Sequence, residues 1–254
     1  MNVSRLLYYK TKISELLIHS RAVVSGQTPP ARLLIFAQGR TGTWLMTHFL
    51  NNHPAIHCEK EVLMFRKFAP YRYLAARSRL NGGNVYSCHV QVNQLLTAQR
   101  VNVRDFLARA VADNWRILYM TRQDIVRQSI STILAKRRRQ WYVYDSQELD
   151  MQPQVIKWEE LQPWLQRRVD HAKIEMEALD GLPHLTVTYE HDLRDAPNHQ
   201  STMDRVFAYL DLPTIHVQAE TKRLSGDLPD TVANYDELMA AVCHSSFALY
   251  TDLC

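Results

Sequence analysis

The sequence predicts an α/β fold, a single domain with a central parallel sheet flanked by helices. Three observations predict it. Short unbroken apolar runs, as at 33–37 (LLIFA) and 116–121 (RILYMT), are bounded by turn residues and suit strands buried on both faces. Longer amphipathic stretches alternate with these runs, the order that builds a parallel sheet with helices on each side. The 254 residues, 46% hydrophobic and 22% charged, can bury a sizeable core without metal or disulfide staples. That composition also excludes disorder as the main state.

The elements follow in order. MNVSRLLYYKTKISELLIHS sets Leu6, Leu7, Ile13, Leu16 and Leu17 at helical spacing, but Arg5, Lys10, Lys12 and Glu15 interrupt it. It lacks the continuous apolar stretch and cleavage site of a signal peptide, and a packed helix is preferred to a membrane-surface anchor. SGQTPP at 25–30 ends this helix, dividing an N-terminal helical extension (1–30) from the main domain (31–254). A strand at 33–37, a tight turn at 38–43 and a helix at 44–51 come next, the helix stopped by His53-Pro54. After the Asn81-Gly82-Gly83 turn the alternation resumes. A strand is expected at 85–92, a helix at 101–114, a strand at 116–121 and a helix at 124–138. An amphipathic helix at 158–179, a strand at 185–189 and a helix at 201–210 complete it. In such a sheet ligands bind beyond the carboxyl ends of the strands, so the loops after Ala37, Val92 and Thr121 should face one site.

Charge and cysteine usage narrow the function. A net charge of +4 suits an anionic ligand but falls short of a nucleic-acid coat. Cys58, Cys88, Cys243 and Cys254 are scattered, without a CxxC pair or matching histidine spacing. Neither a zinc site nor a disulfide framework is expected, and a cytoplasmic location fits. No run approaches the ~18–20 apolar residues of a membrane span.

Two of only seven glycines, Gly39 and Gly42, fall in QGRTGTWL at 38–45, between a buried strand and a helix. They let backbone N–H groups turn inward, and the helix start adds its positive end. With Arg40, Thr41 and Thr43 they make a nest for phosphate or sulfate. A nucleoside-triphosphate loop of the GxxxxGK[ST] type needs a spacing and a lysine that are absent here.

This strand and GRTGTWL loop resemble the 5′-phosphosulfate-binding loop of sulfotransferases that use 3′-phosphoadenosine 5′-phosphosulfate (PAPS). The resemblance is nearest to the bacterial carbohydrate and Nod-factor branch, where arginine replaces the usual lysine. It continues in HPAI (53–56), in RILYMTRQDIVRQSIS (116–131), in LTVTYEHDL (185–193) before AYLDLP, and in KRLSGDLPDTVANYDEL (222–238). These blocks span residues 33 to 238 in the family's order.

The resemblance implies PAPS as co-substrate, no metal, and sulfuryl transfer to a hydroxyl or amine of a small-molecule or carbohydrate acceptor. Arg40 takes the place of the catalytic lysine. Gly39, Thr41, Gly42, Thr43 and Trp44 would complete the 5′-phosphosulfate loop, Thr43 being otherwise a helix cap. Arg122 would grip the 3′-phosphate with Ser131 or Ser129, Ser131 preferred. Lys222 and Arg223, with Ser225, would add a second cation there, or belong to a solvated loop. Glu61, His89 and Glu59, in that order, are the candidate bases, and Glu190 is read as structural. The basic run at 136–139 is either a solvated helix end or an attractor of an anionic acceptor. Trp141, Tyr142 and Tyr144 are either an acceptor lid or core. A homodimer stays open. Two rivals stand beside this reading: a magnesium-dependent nucleotide phosphotransferase, and a non-catalytic nucleic-acid-binding protein on the same scaffold.

Overall fold

The apolar run that opens the main domain is the strand β1 (Arg32–Ala37), with Leu33 to Ala37 wholly enclosed. In the computed structural model, which describes residues 3–24, 26–139, 152–218 and 227–254 and only the backbone of 3–11, β1 is the middle of a five-stranded sheet. The other strands are β2 (Ile56–Glu61), β3 (Val85–Val90), β4 (Trp115–Thr121) and β5 (His184–Thr188), in the order β2-β3-β1-β4-β5. Every pairing is parallel, and Ile35 lies level with His89 on one side and Leu118 on the other.

Because side chains alternate across a strand, β1 feeds two cores. Leu34 and Phe36 join one cluster, with Tyr71 and Leu74 of α3 (Pro70–Leu80), Phe106 and Leu107 of α4 (Val103–Ala112), and Ala178 and Leu179 of α6 (Trp158–Leu179). Leu33, Ile35 and Ala37 join another, with Met46, Phe49 and Leu50 of α2 (Thr43–Asn52) and Met203, Val206 and Phe207 of α7 (His199–Tyr209). A third cluster packs α5 (Ile125–Arg138) and α6 against α8 (Leu228–Thr231) and α9 (Tyr235–Cys243).

From β1 the chain runs outward to β2, returns to β3 and then crosses to β4 on the far side of β1. The strand order therefore reverses between β1 and β4, and the loops 38–42 and 122–124 open at that switch point.

The sequence pattern misses β2 and α3, and it reads as loop the stretch that holds α8 and the start of α9. IHCEKE is too polar to read as a strand, but β2 is at the sheet edge, where alternate residues face water. In α3, Arg72, Arg77 and Arg79 hide the buried spacing of Tyr71, Leu74 and Ser78, one of them polar. The helix α1 (Val3–Val24) packs on α3, and its Glu15 carboxylate accepts the N–H groups of Phe68 and Ala69 (3.1 and 3.2 Å), satisfying donors at the start of α3.

The cysteine expectation is corrected at the C-terminal end. Cys243 and Cys254 form a disulfide, with Cα atoms 5.4 Å apart. Their spacing carries no motif; the chain doubles back after α9 and brings them together. A paired Cys243 and Cys254 take away the support that unpaired cysteines gave to a reducing compartment. No described helix is long and apolar enough to cross a membrane.

Candidate active site

The loop between β1 and α2 is a cradle made by two left-handed residues, Arg40 (φ 68°) and Gly42 (φ 84°). Gly42 caps α2, so Thr43 is the first helical residue and not the cap; its carbonyl accepts the Thr47 hydroxyl (2.8 Å). A Cβ at position 42 would lie 2.9 Å from Leu193 Cδ1 and 3.0 Å from Tyr189 Cδ2, so that position demands glycine twice over. The Thr41 hydroxyl is buried and donates to the Gln38 carbonyl (2.8 Å), closing the turn.

The β4–α5 connection grips this loop. Arg122, the residue after β4, donates through Nη1 to the Arg40 carbonyl (3.1 Å), and Gln128 donates to the Gly39 carbonyl (2.8 Å). Arg40 Nε donates to Ser131 Oγ (3.0 Å). Ser129 is fully enclosed, and among the described residues its hydroxyl has no hydrogen-bond partner. Burial presses the Arg122 pKa down, opposed by Tyr189, whose ring centroid is 4.5 Å away, and by Glu190 at 3.7 Å. The Glu190 carboxylate also accepts the N–H groups of Gln123 and Asp124 (3.0 and 3.2 Å), tying the end of β5 to the end of β4. Asp124 then caps α5 by accepting from the Arg127 N–H (2.8 Å).

A cavity of about 340 Å³ opens here, lined by Arg122, Arg127, Ser131, Tyr189 and Arg194 among others. Asp124, Glu190, Asp195, Asp227 and Asp252 also face it, so its cations are held among carboxylates. Ser131 lines the cavity and Ser129 does not. The 38–43 loop reaches the lining of this cavity through the Arg40 carbonyl, held by Arg122, and through the Arg40–Ser131 bond.

The candidate bases lie on the other side of β1. Lys60 forms a bulge, so Glu59 is level with Cys88 and Glu61 with His89, neighbours on opposite sheet faces. Burial pushes the Glu59 carboxyl up, but hydrogen bonds from Arg77 and from the Tyr86 hydroxyl (2.5 Å) outweigh it and hold the group below its usual range. Burial raises the Glu61 carboxyl, with Gln94 donating to its Oε2 (2.7 Å). Its Oε1 lies 3.9 Å from His89 Nδ1, so the two leading candidates are adjacent. His89 is buried and held neutral, its pKa pushed down to about 4, with Nε2 3.3 Å from the Ala37 carbonyl. Trp44, in the first turn of α2, lies under the Lys60 ammonium (3.7 Å to the ring centroid), which spans the gap between loop and bulge.

Beneath the loop is a polar network the sequence reading missed. Gln38 donates to Glu175 Oε2 (3.0 Å) and accepts from Arg168 Nη1 (3.2 Å); Arg168 also donates to Thr132 (2.8 Å). Both charged residues are buried on α6. Burial raises Glu175 to about 7 and lowers Arg168 to about 10. The signal was available: Arg168 and Glu175 share the stripe of Leu161, Leu165 and Leu179, where apolar residues belong.

Lys222, Arg223 and Ser225, and likewise Trp141, Tyr142 and Tyr144, lie outside the described residues. Of the basic run, Arg137 pairs with Glu160 and donates to the Val155 carbonyl (2.9 Å), while Lys136 sits 5.8 Å from the Trp164 ring centroid. These two are directed toward α6 and the segment before it. Among the described residues, no group of three or more His, Cys, Asp or Glu could hold a metal ion.

Comparison with solved structures places the fold. Mouse sulfotransferase SULT7A1, solved with PAP, superposes with a TM-score of 0.51 at 10% identity, covering 94% of this chain and 92% of that one. A sulfotransferase from Alicyclobacillus acidocaldarius gives a TM-score of 0.47 at 16% identity, covering 87% of this chain and 99% of that one. No protein-family model and no curated protein matches the sequence. The architecture, a five-stranded parallel sheet flanked by helices, is the sulfotransferase fold.

Proposed function

We propose that the protein transfers a sulfuryl group from PAPS to a hydroxyl or amine of a small-molecule or carbohydrate acceptor. The observation that carries this reading is the convergence of Arg122, Arg127 and Ser131 on one cavity, with Ser131 bonded to Arg40 of the neighbouring loop. A forked, buried cation at a strand end suits the 3′-phosphate, and the loop amides with α2 suit the 5′-phosphosulfate. Ser131 rather than Ser129 serves the 3′-phosphate, because only Ser131 reaches the cavity. Arginine at position 40 and the RxDxVxQxxS pattern from Arg122 to Ser131 favour the bacterial carbohydrate branch.

In this reading the acceptor oxygen or nitrogen attacks sulfur in line. The bond from sulfur to the 5′-phosphate oxygen breaks, and the guanidinium of Arg40 stabilises the charge left on that oxygen. The acceptor proton passes to Glu61, whose raised pKa brings it nearer the working range of a base. His89 keeps Glu61 company from inside the sheet and does not meet the acceptor. Glu59 is occupied by Arg77 and Tyr86 and holds α3 to the sheet edge.

Calorimetric titration without magnesium tests the donor site. 3′-Phosphoadenosine 5′-phosphate should bind at least tenfold tighter than ADP, and Arg122→Ala should abolish the preference. Arg40→Ala should slow transfer by roughly 10²–10³-fold while the product nucleotide still binds. Binding of ATP alone, and only with magnesium, would replace this reading with a phosphotransferase.

A further inference from the structure

Two segments that the site does not use meet at one end of the molecule. One is the outward row of α1, with Ile13, Leu16 and Leu17 exposed. The other is the turn after β2, where Met64 is exposed, Phe65 is 69% exposed and Phe68 is 85% exposed. Lys12 joins them: its ammonium lies 5.7 Å from the Phe68 ring centroid, and Leu16 follows it by one helical turn on the same side.

This turn is held in place. The Gln99 amide donates to the carbonyls of Leu63 (2.8 Å) and Phe65 (2.9 Å) and accepts the Lys67 N–H (2.9 Å). Glu15 accepts the next two N–H groups, those of Phe68 and Ala69. Both bracing side chains are buried. Two buried polar groups thus fix a turn whose large apolar side chains face outward. An arrangement of that kind presents a surface rather than completing a core.

Within these two segments the exposed charge is of one sign. Arg21, Arg66, Arg72 and Arg79 are exposed, and the only carboxylate in 12–24 and 64–80 is the buried Glu15. We propose that this face docks on an anionic lipid bilayer. Phe65, Phe68 and Leu16 enter the boundary between headgroups and acyl chains, and the arginines meet the lipid phosphates. A second copy of the chain is a poorer occupant, since a two-fold contact would set these arginines against their own copies. The surface stands apart from the transfer reaction. Only its consequence, that the acceptor is taken at or near a membrane because Met64 follows Glu61 by three residues, rests on the sulfuryl-transfer reading.

Vesicle sedimentation tests it. The protein should pellet with vesicles of phosphatidylcholine and phosphatidylglycerol in equal amounts, not with phosphatidylcholine alone, and added salt should weaken the binding. Two double variants, Phe65→Ser with Phe68→Ser and Arg66→Glu with Arg72→Glu, should each reduce the bound fraction at least tenfold. Their circular dichroism and nucleotide binding should be unchanged. Leu249→Ser, which removes an exposed apolar side chain elsewhere, should bind like the parent. Wild-type protein left in the supernatant, or both double variants pelleting normally, would overturn the proposal. So would a dimer in light scattering that the phenylalanine variant dissolves, which would assign the face to a second copy. Sedimentation that persists when 3′-phosphoadenosine 5′-phosphate fails to bind would sink the transfer reading alone.

Discussion

Glu175 is a carboxyl group enclosed below the loop, bonded to Gln38 and 3.4 Å from the Tyr119 hydroxyl, with Arg168 as the neighbouring charge. Burial raises it from an ordinary 4.5 to about 7. Between those values the native state holds a proton that the unfolded chain releases, so this group's contribution to stability falls as pH rises through the window and levels off above it. Glu175→Gln should remove that fall. Difference curves of urea midpoints against pH should show the variant gaining on the wild type from about pH 4.5 upward, by at most roughly 3 kcal/mol once pH exceeds 7. A flat difference curve would mean that Arg168 keeps Glu175 ionised throughout. At this same scale the sequence could name Glu59 and Glu61 but could not rank them on structure. Their roles part because of the bulge at Lys60, which turns one toward Arg77 and the other toward His89.

The loop between β1 and α2 is where an element's geometry dictates residue type. Gly39 and Gly42 look equivalent in GRTG, but only Gly42 has a left-handed backbone and a crowded Cβ position. An added Cβ at Gly39 would meet Gln91 at an ordinary 3.7 Å. Gly42→Ala should therefore lower stability by more than about 1 kcal/mol, from backbone strain together with overlap on Leu193 and Tyr189. Gly39→Ala should stay within roughly 0.5 kcal/mol. Thermal unfolding of the two variants side by side checks this, and equal losses would mean the loop is differently shaped. Because Tyr189 also flanks Arg122, strain at Gly42 should weaken nucleotide binding as well.

Over the whole molecule, the C-terminal segment is folded back onto the cavity beside β4 and α5. The Cys243–Cys254 disulfide closes the C-terminal tail, and within it the Thr251 hydroxyl donates to Asp124 (3.2 Å) while Asp252 faces the cavity. Cys254→Ser should reduce stability by about 2–4 kcal/mol, as expected for opening a short native loop. Reductant should lower the unfolding midpoint of the wild type to that of the variant and leave the variant unmoved. Equal midpoints with and without reductant would show that the tail holds without the bond.

The alternation of apolar runs and amphipathic stretches was enough to place four of the five strands and the loop at their edge, because buried strands and helix faces impose periods that local sequence must obey. Arg40, in the turn after β1, and Arg122, directly after β4, were singled out by the resemblance that those two segments carry. The edge strand β2 was not, since an edge tolerates polar residues on its open side. Nor were the Gln38–Arg168–Glu175 network or the Cys243–Cys254 bond. Each depends on which residues, far apart in the chain, the sheet order and helix packing bring within hydrogen-bond or covalent reach. No local pattern carries that distance; only the folded chain sets it.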